Sequence, residues 1–243
     1  MTTGMRADPA AWSSRPRPDR VVLEGRHARL EPLDAMRHGD ALFAASMAAG
    51  AGERFRYLFD SPMDRASFQG WLERSAASSD PLFWAVIDRA TGRAEGRQAL
   101  MRIDAGHGVI EIGSILWGPA MAGTRVATEA HLLFASHVFS TLGYRRLEWK
   151  CDDRNQASKR AALRFGYRFE GLFRQHMVVK GQNRDTAWFA ILDRDWPALE
   201  ARCRAWLDPA NFDAAGRQRQ PLAAIDPDRV LLNHASAARD QER

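Results

Sequence analysis

Three groups of residues in this 243-residue chain have types and spacings suited to chemistry. The run Ala122-Gly123-Thr124-Arg125-Val126-Ala127 joins an apolar segment ending at Leu116 to a helix-forming segment, V-A-T-E-A. A strand that enters a helix through small residues aims several unpaired backbone N–H groups at one point, a ready site for an anion such as a pyrophosphate. Gly123 and Ala127 are small where backbone must approach phosphate closely, and Arg125 adds a cation. One β-α repeat later, D-D-R-N-Q-A-S puts Asn155 at the start of a second helix, with Ser158 three residues on. Glu111, in V-I-E-I-G, shares a strand face with Val109 and Gly113 on the segment entering the first loop. A strand-centre carboxylate near an apolar rim loses hydration, which tunes it for general-base work. Each feature also has a plainer reading. The loop can be a simple corner with a solvated Arg125, Asn155 an ordinary N-cap, Ser158 a backbone-bonding hydroxyl, and Glu111 a rim carboxylate paired with an arginine.

These residues must be positioned by a mixed α/β sheet. Alternation predicts a strand over 27–33, then a helical region over 34–49 and a helix over 64–75, capped by Asp64 with Phe68, Trp71 and Leu72 on one face. Strands follow over 82–87 and 98–103, joined through the turn 88–93, and a third over 109–116. The helix opening at Val126 ends at Gly143, and the one starting at Asn155 ends at Gly166. Between them lies a strand over 146–151. Segments 173–179 and 186–192 form a closing hairpin, and Asp195 with Pro197 starts a last helix. Hairpins followed by β-α-β-α give about seven strands with a parallel pair at the centre. Residues 1–20, with three prolines, read as a mobile arm; 21–207 form the domain; 208–243 read as a polar, loosely attached extension.

Composition narrows the function classes. The net charge is +5, but only Lys150, Lys159 and Lys180 are lysines, and the arginines are dispersed among acids. Basic residues must cluster to make a nucleic-acid footprint, so none is expected, although the surplus helps attract a polyanionic ligand. No apolar run approaches the ~18–20 residues of a membrane span, and the first residues lack a secretory apolar core. Cys151 and Cys203 stand in no redox or metal spacing, which fits a reduced, cytoplasmic setting. His131 and His137 are six apart, so a helical metal site is not expected. His107 falls in a surface turn, His176 on a strand that could reach an acceptor groove, and Glu129 where it serves a helix dipole.

Across roughly residues 20–195, and most specifically over 109–171, the chain resembles the GNAT superfamily of acetyl-CoA-dependent N-acetyltransferases. Within it, the ribosomal-protein (RimJ/RimL-type) branch is most similar. The family loop Q/R-x-x-G-x-G/A falls on 122–127, with Ala122 replacing Gln/Arg and Arg125 replacing Gly. The resemblance implies acetyl-CoA as cosubstrate, its pyrophosphate against Gly123, Thr124, Arg125, Val126, Ala127 and Thr128. It implies pantetheine bonded to Asn155 and to backbone groups of Leu116, Trp117 and Gly118, on a strand splayed from its parallel neighbour. The family tyrosine acid, seven residues after the asparagine, is Ala162 here. Ser158 stands where the similar branch has a serine assigned to the departing thiolate, and so borders both coenzyme and chemistry. With Glu111 as base and no nucleophilic cysteine, the expectation is direct acetyl transfer to a primary amine without a metal. The acceptor is a protein N-terminus or a small molecule such as an amino acid, polyamine or antibiotic. A non-catalytic acetyl-CoA-binding protein is the rival, and a homodimer is compatible with either.

Overall fold

The computed structural model describes residues 11–227. Eight strands, β1 (Leu23–Glu24), β2 (Ala28–Pro32), β3 (Leu82–Asp88), β4 (Arg93–Asp104), β5 (Val109–Trp117), β6 (Arg146–Asp152), β7 (Arg168–Val179) and β8 (Gln182–Leu192), form one sheet. Their order is β1-β2-β3-β4-β5-β6-β8-β7. The β5–β6 neighbours are parallel and the rest antiparallel. Six α-helices accompany them: α1 (Ala35–Met47), α2 (Ala51–Phe55), α3 (Arg65–Ala77), α4 (Arg125–Ser136), α5 (Gln156–Phe165) and α6 (Trp196–Leu207).

Local sequence explains the helix starts. Asp34 accepts from the amides of Met36 and Arg37, both at 2.9 Å, and Asp64 accepts from Ser67 N at 2.8 Å. These bonds satisfy donors that have no partner inside a first turn. Phe68, Trp71 and Leu72 of α3 pack on Leu33, Leu42 and Phe83, which makes one face of the sheet. On the other face, α4 is buried on nearly every side against Trp84, Ile110, Ile112 and Leu147. A helix enclosed in this way must be apolar all round, and A-x-x-A-H-L-L-F-A is close to that. After Ser136 the chain widens into a π-helical turn, His137–Thr141, before Gly143 stops it. Sequence periodicity carries no sign of that widening.

Two pairing details shape the centre of the sheet. Strands β5 and β6 pair at Val109↔Arg146, Ile110↔Leu147 and Glu111↔Glu148, and pairing then ceases. Beyond that point β5 stays with β4 up to Trp117, while β6 stays with β8 down to Asp152. The two strands diverge and leave a V-shaped opening. The β4–β5 register also slips between Arg97 and Ala99, opposite Ser114, whose φ is 48°. Such a bulge bends its strand and strengthens the local twist.

The flanking segments differ from the sequence reading. Residues 11–20, expected to be mobile, are fixed along the sheet. Trp12 Nε1 donates to Gly106 O at 2.7 Å, Arg15 N to Ala105 O at 2.9 Å, and Arg20 to Ser78 O at 2.6 Å. The described part of the C-terminal extension is attached rather than loose. Leu222 and Ile225 are buried in the main core, and Trp206 Nε1 donates to Gln218 Oε1 at 2.9 Å. The remainder of both segments lies outside the described residues. Asp195 makes no capping bond to α6; a short 3-10 turn, Asp193–Asp195, leads into it instead.

Candidate active site

The V between β5 and β6 opens into a cleft of about 740 Å³, bounded by the segment 53–59, the ends of both strands and the first turn of α5. Alternation decides what faces it. Ile110 and Ile112 of β5, and Leu147, Trp149 and Cys151 of β6, turn toward α4 and the main core. The residues between them, Glu111, Glu148, Lys150 and Asp152, turn to the opposite face.

Lys150 stands among the carboxylates of that face, with its side chain 4% exposed. Its Nζ lies 2.9 Å from Glu111 Oε2 and 2.7 Å from Glu148 Oε2, and 3.9 Å from the ring centroid of Trp188. Arg102 NH1 donates to the same Glu111 Oε2 at 3.0 Å. Glu111 is therefore paired with an arginine, as its plainer reading had it, and with Lys150 besides. Oε2 is held by two cations, and Oε1, which accepts no bond among the described residues, is the oxygen nearer Gly113. At the far end, Arg154 grips Asp152 through two bonds, at 3.0 and 2.8 Å. Burial lowers the pKa of Arg184 from its ordinary value, against the opposing charge of Asp152.

The wall opposite β6 is held by a buried arginine. Arg97 donates to Asp60 Oδ2 at 2.6 Å and to Ser114 O at 3.3 Å, and its guanidinium lies over Trp71 at 4.1 Å. One side chain thus ties the segment after α2 to the bulge of β5. Desolvation pulls the Arg97 pKa down while Asp60 opposes the shift.

At the helix starts the predicted residues are brought together. Gly123 has φ 77°, a conformation open to glycine, and no side chain caps the first turn of α4. Its N-terminal donors are therefore left for a ligand. Asn155 Oδ1 accepts from Ser158 N at 3.0 Å, so Asn155 is an N-cap. Ser158 Oγ accepts from Trp149 Nε1 at 2.9 Å, which leaves its own hydrogen for a second partner. Burial raises the pKa of Cys151, and a bond from Ser158 to its sulfur acts against that rise. This hydroxyl is already within reach of one sulfur.

Other residues take different places from those expected. Gly118 donates to Glu95 O at 2.8 Å, and its carbonyl accepts from Met121 N and Ala122 N, so both its groups are engaged within the chain. A Cβ there would lie 2.8 Å from Glu95 O, which is why the position needs glycine. The guanidinium of Arg125 stacks over Phe212 at 4.7 Å rather than lining the cleft, and Thr128 Oγ1 accepts from Arg164 at 3.1 Å. Glu129, read as serving the helix dipole, is buried and accepts from the amides of Arg26 and Ala28 at 3.0 and 2.6 Å, fixing the β1–β2 turn. Leu116 and Trp117 keep a free backbone edge toward the V, and Trp117 Nε1 is buried with no partner. His176 Nδ1 is 2.9 Å from Thr186 Oγ1, and His107 is exposed in its turn. His131 is fully enclosed, stacked on Phe165 at 4.1 Å and bonded to Tyr167 at 3.1 Å. Lys150, Arg97 and Arg184 were not singled out from the sequence. The alternation E-W-K-C-D was the available signal for the first of them, and none existed for the others.

A mixed sheet whose central parallel strands part beside an uncapped helix N-terminus gives an open cleft with backbone donors at one end. The chain belongs to the GNAT acetyltransferases: the acetyltransferase (GNAT) domain matches residues 29–168. A GCN5-related N-acetyltransferase from Brucella melitensis is 58% identical, with a TM-score of 0.87, over 88% of this chain and 97% of that one. A GNAT-family acetyltransferase from Chromobacterium violaceum is 41% identical, TM-score 0.72, over 79% and 96%. An acetyl transferase from Salmonella typhimurium, described as modifying the N-terminal serine of a ribosomal subunit protein, is 16% identical with a TM-score of 0.62, over 71% and 99%. Likeness at that level shows the shared fold and nothing about the acceptor. No curated protein matches. Among the described residues no helix is long and apolar enough to cross a membrane, and no three or more His, Cys, Asp or Glu side chains are grouped to hold a metal ion.

Proposed function

We propose that the protein uses acetyl-CoA and moves the acetyl group directly to a primary amine. One observation carries this reading: the β5–β6 opening meets, at one end, a helix start that no side chain caps among the described residues. The free edge of Leu116 and Trp117 suits pantetheine amides, and the orphaned Nε1 of Trp117 suits a carbonyl oxygen. The amides around Gly123 to Thr128 suit the pyrophosphate. With coenzyme bound, the thioester supplies an activated acetyl carbon and a good leaving group.

The chain's own residues then handle protons. Glu111 Oε1 takes a proton from the incoming ammonium, directly or through water, while Lys150 and Arg102 fix the carboxylate through Oε2. The amine nitrogen bonds the acetyl carbon, the C–S bond breaks, and the second proton that the nitrogen sheds as the amide forms passes through water to the departing sulfur, which the Ser158 hydroxyl stabilises by a hydrogen bond. Asn155 holds the first turn of α5 so that this hydroxyl stays in place. Calorimetric titration with acetyl-CoA, together with detection of free thiol in the presence of primary amines, tests the reading. Binding without amine-dependent thiol release would identify a coenzyme-binding protein instead.

A further inference from the structure

We infer that Arg184 anchors an anionic group of the acceptor, and that the amine served by this cleft belongs to a compact molecule carrying a carboxylate or a phosphate. The inference rests on the amine-acceptor reading above. Arg184 lies on β8, two residues from Thr186 and four from Trp188, which pair with Asp152 and Lys150. Alternation puts it on the face that carries those two residues. It is 7% exposed, and its Nε donates to Thr186 Oγ1 at 3.2 Å. Its terminal nitrogens have no hydrogen-bond partner among the described residues, and no carboxylate there lies within ion-pair distance of it. Lys150, Arg102 and Arg154, which line the same cleft, each have one. The Arg184 guanidinium meets the cleft at its ends rather than protein acceptors, so an anionic ligand exchanges water there for a charge-assisted pair. Its planar fork matches a carboxylate or a phosphate.

Two further features set the sign and the size of the ligand. Six cations and three carboxylates line the cleft, so a polycationic acceptor is repelled and an anionic one drawn in. Lys180 Nζ donates to Phe55 O at 2.8 Å, and Arg184 lies over Phe59 at 5.1 Å, so the β7–β8 hairpin is strapped to the segment that follows α2. Behind this strap is a side cavity of about 150 Å³, lined in part by Arg56, Tyr57, Lys180 and Arg184. A cavity of that size matches a compact group rather than an extended chain. Gly123 and Arg184 line the same cleft, so the acceptor is titrated into protein whose coenzyme site is already filled.

The test is calorimetric titration of the CoA-loaded protein with matched primary amines: serine against serinamide, aminoethyl phosphate against ethanolamine, and putrescine. The anionic member of each pair binds at least about tenfold more tightly, as a charge-assisted pair implies, and putrescine binds most weakly. Arg184→Gln brings that ratio toward one, and Arg184→Lys keeps part of it. Equal binding within both pairs, or a ratio that survives Arg184→Gln, overturns the inference. Because the ratio is read first in the unaltered protein, a variant that fails to fold does not shield it. Thiol release with the same amines separates the two readings. Charge-selective binding without thiol release removes the acetyl-transfer reading and leaves the anchor. Thiol release without charge preference removes the anchor and leaves the transfer.

Discussion

The two faces of β5 and β6 are built from alternate residues of the same short strands, yet they follow opposite rules. Toward α4 stand Ile110, Ile112, Leu147, Trp149 and Cys151, closed over by His131, Phe165 and Tyr167. On the opposite face stand Glu111, Glu148, Lys150 and Asp152, all buried or nearly so. Parallel strands covered on both faces are ordinarily apolar on both. A sheet centre that is apolar on one side and charged on the other has been shaped by something besides folding. The charged side is tolerable because each carboxylate is paired, and because the cleft admits water and ligand.

The strongest way to break this comparison is to change one carboxylate of the charged face without changing its shape. Glu111→Gln should lower kcat/KM by ~10²–10⁴, the range of general-base catalysis. Kinetics like those of the unaltered enzyme would move the base to water or to His176. Next in size is the wall of the cleft. Asp60→Ala leaves Arg97 buried without its counter-charge and should destabilise the fold by about 3 kcal/mol in denaturant titration. A loss below about 1 kcal/mol would mean that Arg97 finds other partners.

The apolar face is tested by acid. Burial, with a further push from Arg164, lowers the pKa of His131 to about 3. Between that value and 6.5 the unfolded chain binds the extra proton, so the contribution is present above 6.5 and is lost as pH falls. Between pH 7 and pH 5 the loss is about 2 kcal/mol, and His131→Phe should make the acid slope of stability shallower. An unchanged slope would show that His131 titrates alike in both states. The smallest effect is expected where the faces meet, at Ser158, whose hydroxyl bonds Trp149 while bordering the cleft. Ser158→Ala should lower kcat by roughly tenfold, below the general-base range because a thiolate leaves readily, with acetyl-CoA affinity retained. Lost affinity at unchanged kcat would make it a binding residue.

What the sequence disclosed follows the same division. The loop at Gly123 and the cap at Asn155 were legible because small residues and capping residues act within one turn of themselves. Seven of the eight strands and most helix limits were legible for the same reason, whereas the two-residue β1 and the short α2 were not. Lys150 between two glutamates was not, because that contact depends on the register of β5 against β6 across an intervening helix. Arg184 was read as part of a turn; its meaning comes from β8 pairing with β6 and from Phe59, far away in the chain. Glu129 was misjudged because its partners, the amides of Arg26, His27 and Ala28, lie about a hundred residues earlier. Local chemistry announces itself in a sequence, whereas charge placed by register does not.

The short pairing of β5 with β6 has a mechanical consequence. Five strands lie on one side of that seam and three on the other, and three residue pairs join them within the sheet. The sheet is thus two panels on a narrow hinge, with helices packed across it. A ligand that offers amides to the open edge of β5 works as a clasp, adding rungs where the protein has none. Its binding free energy then enters the cohesion of the panels themselves. Amide exchange along 112–117 should slow together with that of β6 once the clasp is in place, because closing the seam turns two panels into one.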